Sequence, residues 1–286
     1  MLECPVTTEW PQQESCLISA PVVARLVQIS DCHLFADPQG ALLGLKTEES
    51  LQDVLEHIDH FEKPKGIDTL LVTGDLSQDG SPQSYQRLWE KTRYIGQSQG
   101  WIQGNHDLDQ PMQAYSGLRP VLSPGILQPH PRWQVILLNS SVEHQIHGHI
   151  SAEHLLFLEQ SLARANGIFS LVVTHHPPCH IGCAWLDRQC IDNPGRLEKI
   201  LDQYQDTVRA VLCGHVHQQA EVRFAATTVW TSPSTCIQFK PASDGFALDP
   251  LGPGYRVLEL LENGGIRTYV SRVQASDHLD TLACGY

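Results

Sequence analysis

The stretch TLLVTGDLSQDG, residues 69–80, joins a short apolar run to a turn that contains two aspartates and two glycines. The apolar part, Thr69 to Thr73, has the length of a buried strand. Gly74 and Asp75 follow at once, and in a layered α/β fold the carboxyl ends of strands open onto a shared crevice. The stretch therefore predicts a strand that delivers the carboxylate of Asp75 to a binding site.

The same arrangement recurs along the chain, where other polar segments follow apolar runs. They are Asp31-Cys32-His33, Gly104-Asn105-His106-Asp107, His175-His176-Pro177-Pro178 and Gly214-His215-Val216-His217. Each segment alone is common by chance. Their occurrence together in one chain indicates that their side chains converge on one site from several strand ends. If their segments are extended, Asp31 and His33 point the same way, as do His215 and His217. The glycines at 74, 104 and 214 are expected to let the backbone turn sharply.

Short apolar runs alternate with helical patterns over most of the chain, which is typical of an α/β fold. The predicted strands are Ala24 to Ile29, Thr69 to Thr73, Gln134 to Leu138, Phe169 to Thr174 and Val208 to Cys213. The predicted helices are Thr47 to Phe61, Gln83 to Tyr94, Ala152 to Ala165 and Gly195 to Gln203, with only weak capping signals at Ser151 and Thr47.

The C-terminal part has the pattern of antiparallel strands, so the sheets are predicted to be mixed. These strands are Glu221 to Phe224, Thr227 to Thr231, Gly254 to Leu261 and Ile266 to Val270, the last two joined by a hairpin turn at Asn263-Gly264-Gly265. We expect residues 1–23 to be an N-terminal extension and residues 24–286 to form one domain.

The chain of 286 residues carries a formal net charge of −13, which disfavours binding to nucleic acid or to an anionic membrane. An anionic substrate would then need metal ions to attract it. No apolar run approaches the roughly 20 residues that span a bilayer, and residues 1–21 lack the basic start of a secretory signal. We therefore expect a cytoplasmic protein.

Carboxylate and imidazole side chains suit manganese, iron and zinc, and two such ions about 3.5–4 Å apart can drive displacement at phosphorus. The 9 cysteines include no CxxC pair. Cys179, Cys183 and Cys190 are interpreted as reduced thiols, with a structural zinc site as the alternative. The trio His144, His147 and His149 is interpreted as a polar loop, with an accessory metal or substrate contact as the alternative.

Together the motifs resemble those of the calcineurin-like metallophosphoesterase superfamily, D-x-H, GDxxxDG, GNHD, a His-containing block and GHxH, all intact here. Further segments resemble bacterial class III cyclic AMP phosphodiesterases of the CpdA type. They are ISDCHLFAD (29–37), ALLG (41–44), CAWLD (183–187), CGHVHQ (213–218), STCIQFKP (234–241) and the terminal Gly285-Tyr286. The resemblance implies a four-layer αββα sandwich with two mixed β-sheets, and hydrolysis of 3′,5′-cyclic AMP to 5′-AMP, which lowers the level of this second messenger.

The resemblance also implies two metal ions, iron with iron or manganese, with zinc as a further choice. One ion would be held by Asp31, His33 and His217, the other by Asn105, His175 and His215, and Asp75 would bridge them. A hydroxide between the ions would attack phosphorus in line with the 3′-oxygen. Homodimers are compatible with the resemblance.

Catalytic roles are implied for Asn105, His106 and Asp107. His106 would act as acid or electrophile at the phosphate, and Asp107 would orient its imidazole. Substrate contacts are implied for His33, Asp75, Asn105, His106, His175 and His217. By contrast, His176, Asp79 and Cys32 are interpreted as supporting or packing residues.

Adenine recognition is the least specified part of the site. Position and resemblance suggest Trp185, Asp187, Arg188, Asn193, Cys236 and Gln238, and loop packing is the alternative for each. Rival functions remain open: a broader phosphodiesterase for 2′,3′-cyclic nucleotides or glycerophosphodiesters, a phosphomonoesterase, a nuclease, or a non-catalytic scaffold. The complete motif set argues against the scaffold, and the acidic charge argues against the nuclease.

Overall fold

Two six-stranded β-sheets form the centre of the protein, whose computed structural model describes residues 20–115 and 120–274. Most of the predicted N-terminal extension, residues 1–19, and Gly285-Tyr286 lie outside the described residues. In chain order the strands are β1 (Val22–Ile29), β2 (Ala41–Leu42), β3 (Leu45–Lys46), β4 (Thr69–Thr73), β5 (Ser98–Ile102), β6 (Pro120–Leu122), β7 (Gly125–His130), β8 (Trp133–Leu137), β9 (Phe169–Val173), β10 (Val208–Cys213), β11 (Ala220–Phe224), β12 (Thr227–Thr231), β13 (Gln238–Phe239), β14 (Leu248–Asp249), β15 (Gly254–Leu261) and β16 (Ile266–Arg272). The helices are α1 (Thr47–Phe61), α2 (Pro82–Thr92), α3 (Asp109–Gln113), α4 (Ala152–Arg164) and α5 (Pro194–Gln203), with 3-10 turns at Lys63–Lys65 and Asp187–Gln189.

Both large sheets are mixed, as predicted. The first has the order β16-β15-β1-β4-β5-β6, in which β1, β4, β5 and β6 are parallel and β15 and β16 are antiparallel to their neighbours. The second has the order β11-β12-β10-β9-β8-β7, with parallel strands from β12 to β8 and an antiparallel strand at each edge. Small hairpins pair β2 with β3 and β13 with β14.

Three buried apolar clusters show that these sheets lie between two layers of helices. Leu26 and Leu71 of the first sheet pack with Leu171 and Leu212 of the second, so the two sheets share a core. The opposite face of the first sheet packs against α1 and α2, and that of the second against α4 and α5. The predicted four-layer αββα sandwich is confirmed.

Most predicted elements agree with the structure to within two residues at each end. The weak cap at Ser151 is real, since its hydroxyl accepts a hydrogen bond from the backbone N–H of His154 at 3.2 Å. At α1, by contrast, the N-cap is Lys46 without a side-chain cap, and Thr47 is the first helical residue. Within the described residues, no helix is both long enough and apolar enough to span a bilayer.

In the two large sheets, strands β5, β6 and β7 were not predicted, and neither were the short hairpin strands β2, β3, β13 and β14. Gly100 interrupts the apolar pattern of β5, and a Cβ there would lie only 2.6 Å from Leu127 and 2.9 Å from Leu137 of the facing sheet. The close approach of the two sheets therefore requires glycine at a position where the sequence pattern suggests a break.

Candidate metal centre

The expected metal ligands converge where the parallel strands of the two sheets end. The first sheet supplies Asp31, His33, Asp75 and Asn105 from the segments after β1, β4 and β5, and the second supplies His175, His215 and His217 from those after β9 and β10. Except for Asn105, which is half-buried, all of these side chains are buried. Residues far apart in sequence thus share one crevice, as the motif positions predicted.

Asp75 lies at the centre of this arrangement. Its Oδ2 atom is 3.3 Å from Nε2 of His175 and 3.7 Å from Nε2 of His33, and its Oδ1 accepts a hydrogen bond from the backbone N–H of His106 at 2.9 Å. The carboxylate therefore faces one expected ligand from each of the two predicted sets.

The remaining expected ligands fall into the same two groups. Nε2 of His217 lies 3.3 Å from Oδ1 of Asp31 and 3.2 Å from Nε2 of His33. On the other side of Asp75, Nδ1 of His215 lies 3.0 Å from Oδ1 of Asn105, and the rings of His175 and His215 have centroids 5.1 Å apart. The structure brings all seven residues together.

Three of the histidines are held by oxygen atoms behind their rings. Nδ1 of His33 pairs with Oε1 of Gln78 at 2.6 Å, Nδ1 of His175 with the carbonyl of Thr73 at 2.8 Å, and Nδ1 of His217 with the carbonyl of Ile237 at 2.9 Å. An oxygen acceptor fixes the proton on Nδ1, so Nε2 is the ring nitrogen whose lone pair would bind a cation.

The donor set fits metal ions. The Nε2 atom of His215 is buried and makes no hydrogen bond to any residue that the structure describes, while Nε2 of His175 faces the Asp75 carboxylate at 3.3 Å. A buried polar atom without a partner, such as Nε2 of His215, is costly unless another group satisfies it. Ligand atoms of Asp31, Asp75 and His175 also lie within 4.8 Å of one another. Cations at this place would satisfy the imidazoles and offset the carboxylates.

The buried carboxylates and imidazoles of the centre shift one another's pKa values. Burial raises the pKa of Asp75, but the surrounding histidines, His175 first, outweigh it and hold that pKa well below its usual range. Burial lowers the pKa of His33 to about 3. Burial also lowers the pKa of His175, but the Asp75 carboxylate dominates and raises it to about 9. Metal binding at His175 would therefore displace a proton.

Five of the expected ligands adopt left-handed backbone conformations. The φ angles are 55° at Asp31, 46° at His33, 49° at Asp75, 67° at His215 and 47° at His217. The extended geometry predicted for the two pairs is wrong, although both pairs still reach the site. Each such residue costs about 1–3 kcal/mol, which the surrounding packing must offset.

The glycines serve two purposes. Gly74 turns with a φ of 97°, as predicted. Gly104 and Gly214 have no positive φ. A Cβ at Gly104 would collide with the carboxylate of Asp75, and one at Gly214 would collide with the hydroxyl of Ser30. These two glycines are required for close approach rather than for a sharp turn, which corrects the sequence interpretation.

Asp107 holds loops together. Its carboxylate accepts hydrogen bonds from the backbone N–H groups of Gly104 at 2.8 Å, Leu76 at 3.1 Å and Ser77 at 3.0 Å, and from the hydroxyl of Tyr85 at 3.0 Å. Burial raises its pKa to about 6, and the nearby charge of Asp75 adds to this rise. These contacts favour positioning of the metal-site loops over the expected orientation of the His106 imidazole.

His106 itself is half-buried at the edge of the centre. Its ring meets that of His33 edge-on, with centroids 5.0 Å apart, and a ring nitrogen lies within 4.8 Å of ligand atoms of His33 and Asp75. The residue therefore lies at the edge of the cluster of expected ligands.

The supporting residues lie where the sequence placed them. His176 uses both ring nitrogens, with the Ser140 hydroxyl at 2.9 Å and the Ile146 carbonyl at 3.0 Å, so it anchors the loop that carries the histidine trio. Asp79 accepts hydrogen bonds from the backbone N–H groups of Ala36 and Ser81, so it joins its own loop to the segment after β1. Cys32 is buried in the outer core of the first sheet.

The histidine trio and the cysteines show no further metal centre in the described part of the chain. His147 and His149 lie beside Asp192, at 3.6 and 2.7 Å, as a polar loop would. The described cysteines are free thiols. The thiol of Cys190 faces the Cys179 carbonyl at 3.2 Å, whereas that of Cys183 faces Ser243 at 3.5 Å, so these cysteines do not share a zinc site.

A cavity of about 260 Å³ opens beside the centre. It is lined by Asn105, His106, His144, Gln145, Ile146, Trp185, Gln189, His215 and Phe239. Of the residues suggested for adenine recognition, only Trp185 lines it. Phe239 was not among the suggested residues, although it lies within the STCIQFKP segment. Its ring stacks on that of His217, with the ring centroids 4.3 Å apart and an angle of 12° between the ring planes.

The other suggested adenine contacts are occupied elsewhere. Asp187 accepts a hydrogen bond from the Ile181 backbone, and Asn193 bonds to both backbone groups of Ile150. The Gln238 amide is buried and donates to the Ser234 carbonyl at 2.9 Å. These three side chains position loops.

Neither of the two remaining adenine candidates lines this cavity. Arg188 is exposed and lines a separate groove with His147 and Asp192. Cys236 lies behind His33 and His217, close enough for its sulfur to fall within 4.8 Å of their nitrogens.

The comparisons with known proteins agree with this geometry. Residues 24–219 match the family described as calcineurin-like phosphoesterase. The chain is 39% identical over 263 residues to a 3′,5′-cyclic adenosine monophosphate phosphodiesterase CpdA of Vibrio vulnificus, covering 92% of this chain and 95% of that protein. It is 38% identical over 266 residues to the protein of the same name in Escherichia coli K12, covering 92% of this chain and 94% of that one.

The fold resemblance extends to solved structures. A dimetal phosphatase from Danio rerio superposes with a TM-score of 0.64 at 15% sequence identity, over 89% of this chain and 98% of that one. At this level of identity the match shows the shared fold. Together with the family match and the two relatives, it establishes that the chain belongs to the calcineurin-like phosphoesterase family.

Proposed function

We propose that this protein hydrolyses 3′,5′-cyclic AMP to 5′-AMP. The observation that carries the proposal is the meeting of two segments beside the metal centre: CAWLD (183–187) and STCIQFKP (234–241). The ring of Trp185, in the first segment, meets that of Phe239, in the second, edge-on with the ring centroids 5.0 Å apart. Both residues line the cavity that borders His106. The relatives named as cyclic AMP phosphodiesterases cover nearly the whole chain.

The expected ligands would hold two cations in two sets that share Asp75, and we propose iron with iron or manganese. Bound cations would supply Lewis acidity toward the phosphoryl oxygens and make a water molecule easier to deprotonate. The chain's own residues fix the ligand directions through Gln78, Thr73 and Ile237, which hold the histidine rings from behind.

His106 and Asn105 are proposed to act on the phosphate directly. Water would attack phosphorus in line with the bond to the 3′-oxygen and release a proton to the solvent; a new P–O bond forms, the P–O3′ bond breaks, and 5′-AMP results. An imidazole N–H of His106 would donate a proton to the departing 3′-oxygen, which is general acid catalysis, and the imidazole would regain a proton from the solvent afterwards. The amide of Asn105 lies at the same edge and would stabilise the charge that develops on phosphate.

A second candidate is a broader phosphodiesterase. A second cavity, of about 750 Å³, also borders Asn105, and its lining includes the polar residues Gln103, Asp109 and Glu143. It has room for the second alcohol group of a linear diester, such as a glycerophosphodiester.

A substrate panel on protein of measured metal content tests the proposal. We expect 3′,5′-cyclic AMP to be hydrolysed with a kcat/KM well above those for 2′,3′-cyclic AMP, glycerophosphodiesters and nitrophenyl phosphate monoesters. A preference for linear diesters would establish the second candidate instead. Failure to hydrolyse any of these esters, after iron or manganese is supplied, would contradict both.

A further inference from the structure

We infer that the cavity of about 260 Å³ is a purine-base site in which the side-chain amide of Gln189 recognises adenine and the aromatic pair Trp185 and Phe239 supplies the apolar wall. The inference rests on the proposed function, because it assigns the base of the same substrate. None of the sequence motifs contains Gln189.

The aromatic wall is built onto the metal centre itself. One face of Phe239 stacks on the ring of the expected ligand His217, and Trp185 packs edge-on against Phe239. The ring of Phe246 packs against both, with its centroid 5.5 Å from that of Trp185 and 5.7 Å from that of Phe239. A planar base that enters the cavity therefore meets rings whose positions are fixed relative to the phosphate site.

Two residues that line the cavity carry polar groups for which the described residues provide no hydrogen-bond partner. Nε1 of Trp185 is buried and has no hydrogen-bond partner in the described part of the chain. The half-buried Gln189 lines the same cavity, and no hydrogen bond of its side-chain amide is found within residues 20–115 and 120–274. A buried indole N–H without a partner is costly, so a polar ligand would be favoured here.

The chemistry of the amide selects one purine over the other. A glutamine amide can accept from N6 and donate to N7 of adenine in a bidentate pair. Guanine offers two acceptors, O6 and N7, along the same edge, so the amide oxygen would face another oxygen. Recognition of this kind separates bases by roughly 10- to 100-fold.

The position and size of the cavity suit a single nucleotide. Its lining includes Asn105, His106 and His215, which also belong to or border the metal centre, so a phosphate held at that centre would leave its base close to the aromatic wall. Ligand pockets for larger molecules span about 300–1,000 Å³, and this cavity lies just below that range.

The test compares Gln189→Leu with the wild-type protein and with Gln160→Leu, a matched change at an exposed position of α4. The substrates are 3′,5′-cyclic AMP, 3′,5′-cyclic GMP and bis(4-nitrophenyl) phosphate, which has no base. We expect Gln189→Leu to raise KM for cyclic AMP about tenfold or more and to bring the ratio of kcat/KM for cyclic AMP over cyclic GMP close to one. Hydrolysis of the nitrophenyl diester should not change, nor should any rate in Gln160→Leu.

Two outcomes would overturn the inference and leave the proposed function intact: equal use of both cyclic nucleotides by the wild-type protein, or an unchanged ratio in Gln189→Leu. Hydrolysis of the nitrophenyl diester alone would instead contradict the proposed function. Equal melting temperatures of the variants and wild type establish that the comparison concerns folded protein.

Discussion

The hydroxyl of Tyr85 donates a hydrogen bond to Oδ1 of Asp107 at 3.0 Å and accepts one from the backbone N–H of Leu108 at 2.9 Å. Through this one atom, α2 holds the loop that carries Asn105 and His106. Because Asp107 also binds backbone groups beside Asp75, Tyr85 stabilises the relative position of two metal-site loops.

Replacement of Tyr85 by phenylalanine removes both hydrogen bonds and leaves a buried carboxylate oxygen with one partner fewer. We expect the free energy of unfolding to fall by about 1–3 kcal/mol, with reduced metal affinity. Urea unfolding and metal titration measure the two effects. Tyr94→Phe is the matched control, since Tyr94 is exposed and should tolerate the change. Equal effects of both substitutions would contradict the role of Tyr85.

His106→Ala separates catalysis from metal binding. His106 borders the centre but is not among the expected ligands, so we expect near-normal metal content with kcat lowered about 10²- to 10⁴-fold. Metal analysis and steady-state kinetics on the same sample are the measurements. His60→Ala, at an exposed histidine of α1, should leave both unchanged. Unchanged turnover would remove His106 from the mechanism, and loss of metal would reassign it as a ligand.

Gln78→Leu tests the support behind His33. The Gln78 amide oxygen holds Nδ1 of His33 at 2.6 Å, and without it the ring can rotate and the proton can move between nitrogens. Loss of such a partner typically weakens metal binding about 10- to 100-fold. Titration of metal-stripped protein should show this decrease. Gln86→Leu, at an exposed position of α2, provides the baseline, and an affinity equal to that baseline would exclude the supporting role.

Gly104→Ala tests how closely the loops approach one another. The added Cβ would overlap the carboxylate of Asp75, so we expect loss of bound metal, loss of activity and a lower melting temperature. Gly195→Ala adds the same methyl group in the first turn of α5, where nothing lies within 4 Å. That control should be neutral or slightly stabilising because alanine favours helix. Normal metal content in Gly104→Ala would show that the loop can shift without cost.

The architecture could be predicted because strand and helix patterns alternate clearly and the polar motifs fall at strand ends. Thr69 to Thr73 and Val208 to Cys213 were predicted to the residue. Strand β5 was missed because Gly100 satisfies a constraint from the facing sheet, and local pattern carries no record of such a contact.

The expected metal ligands could be predicted from motifs, since their residue types and spacing mark them. Their left-handed backbones could not, because Asp31 and His33 are held that way by distant neighbours: Asp31 N–H bonds to Gly74 and His33 N–H to Asp75. Two further features could not be predicted for the same reason, because they depend on contacts between remote segments. They are the hydrogen bonds of Asp107 to the metal-site loops and the stacking of Phe239 on His217.

The aromatic wall comes from two segments, residues 183–187 and 234–241, that supply none of the expected metal ligands. If this wall selects the base, as we propose, substrate preference and reactivity reside on separate stretches of polypeptide. Exchange of these segments between members of the family offers a route to diesterases that have altered substrate selectivity but keep the same metal centre.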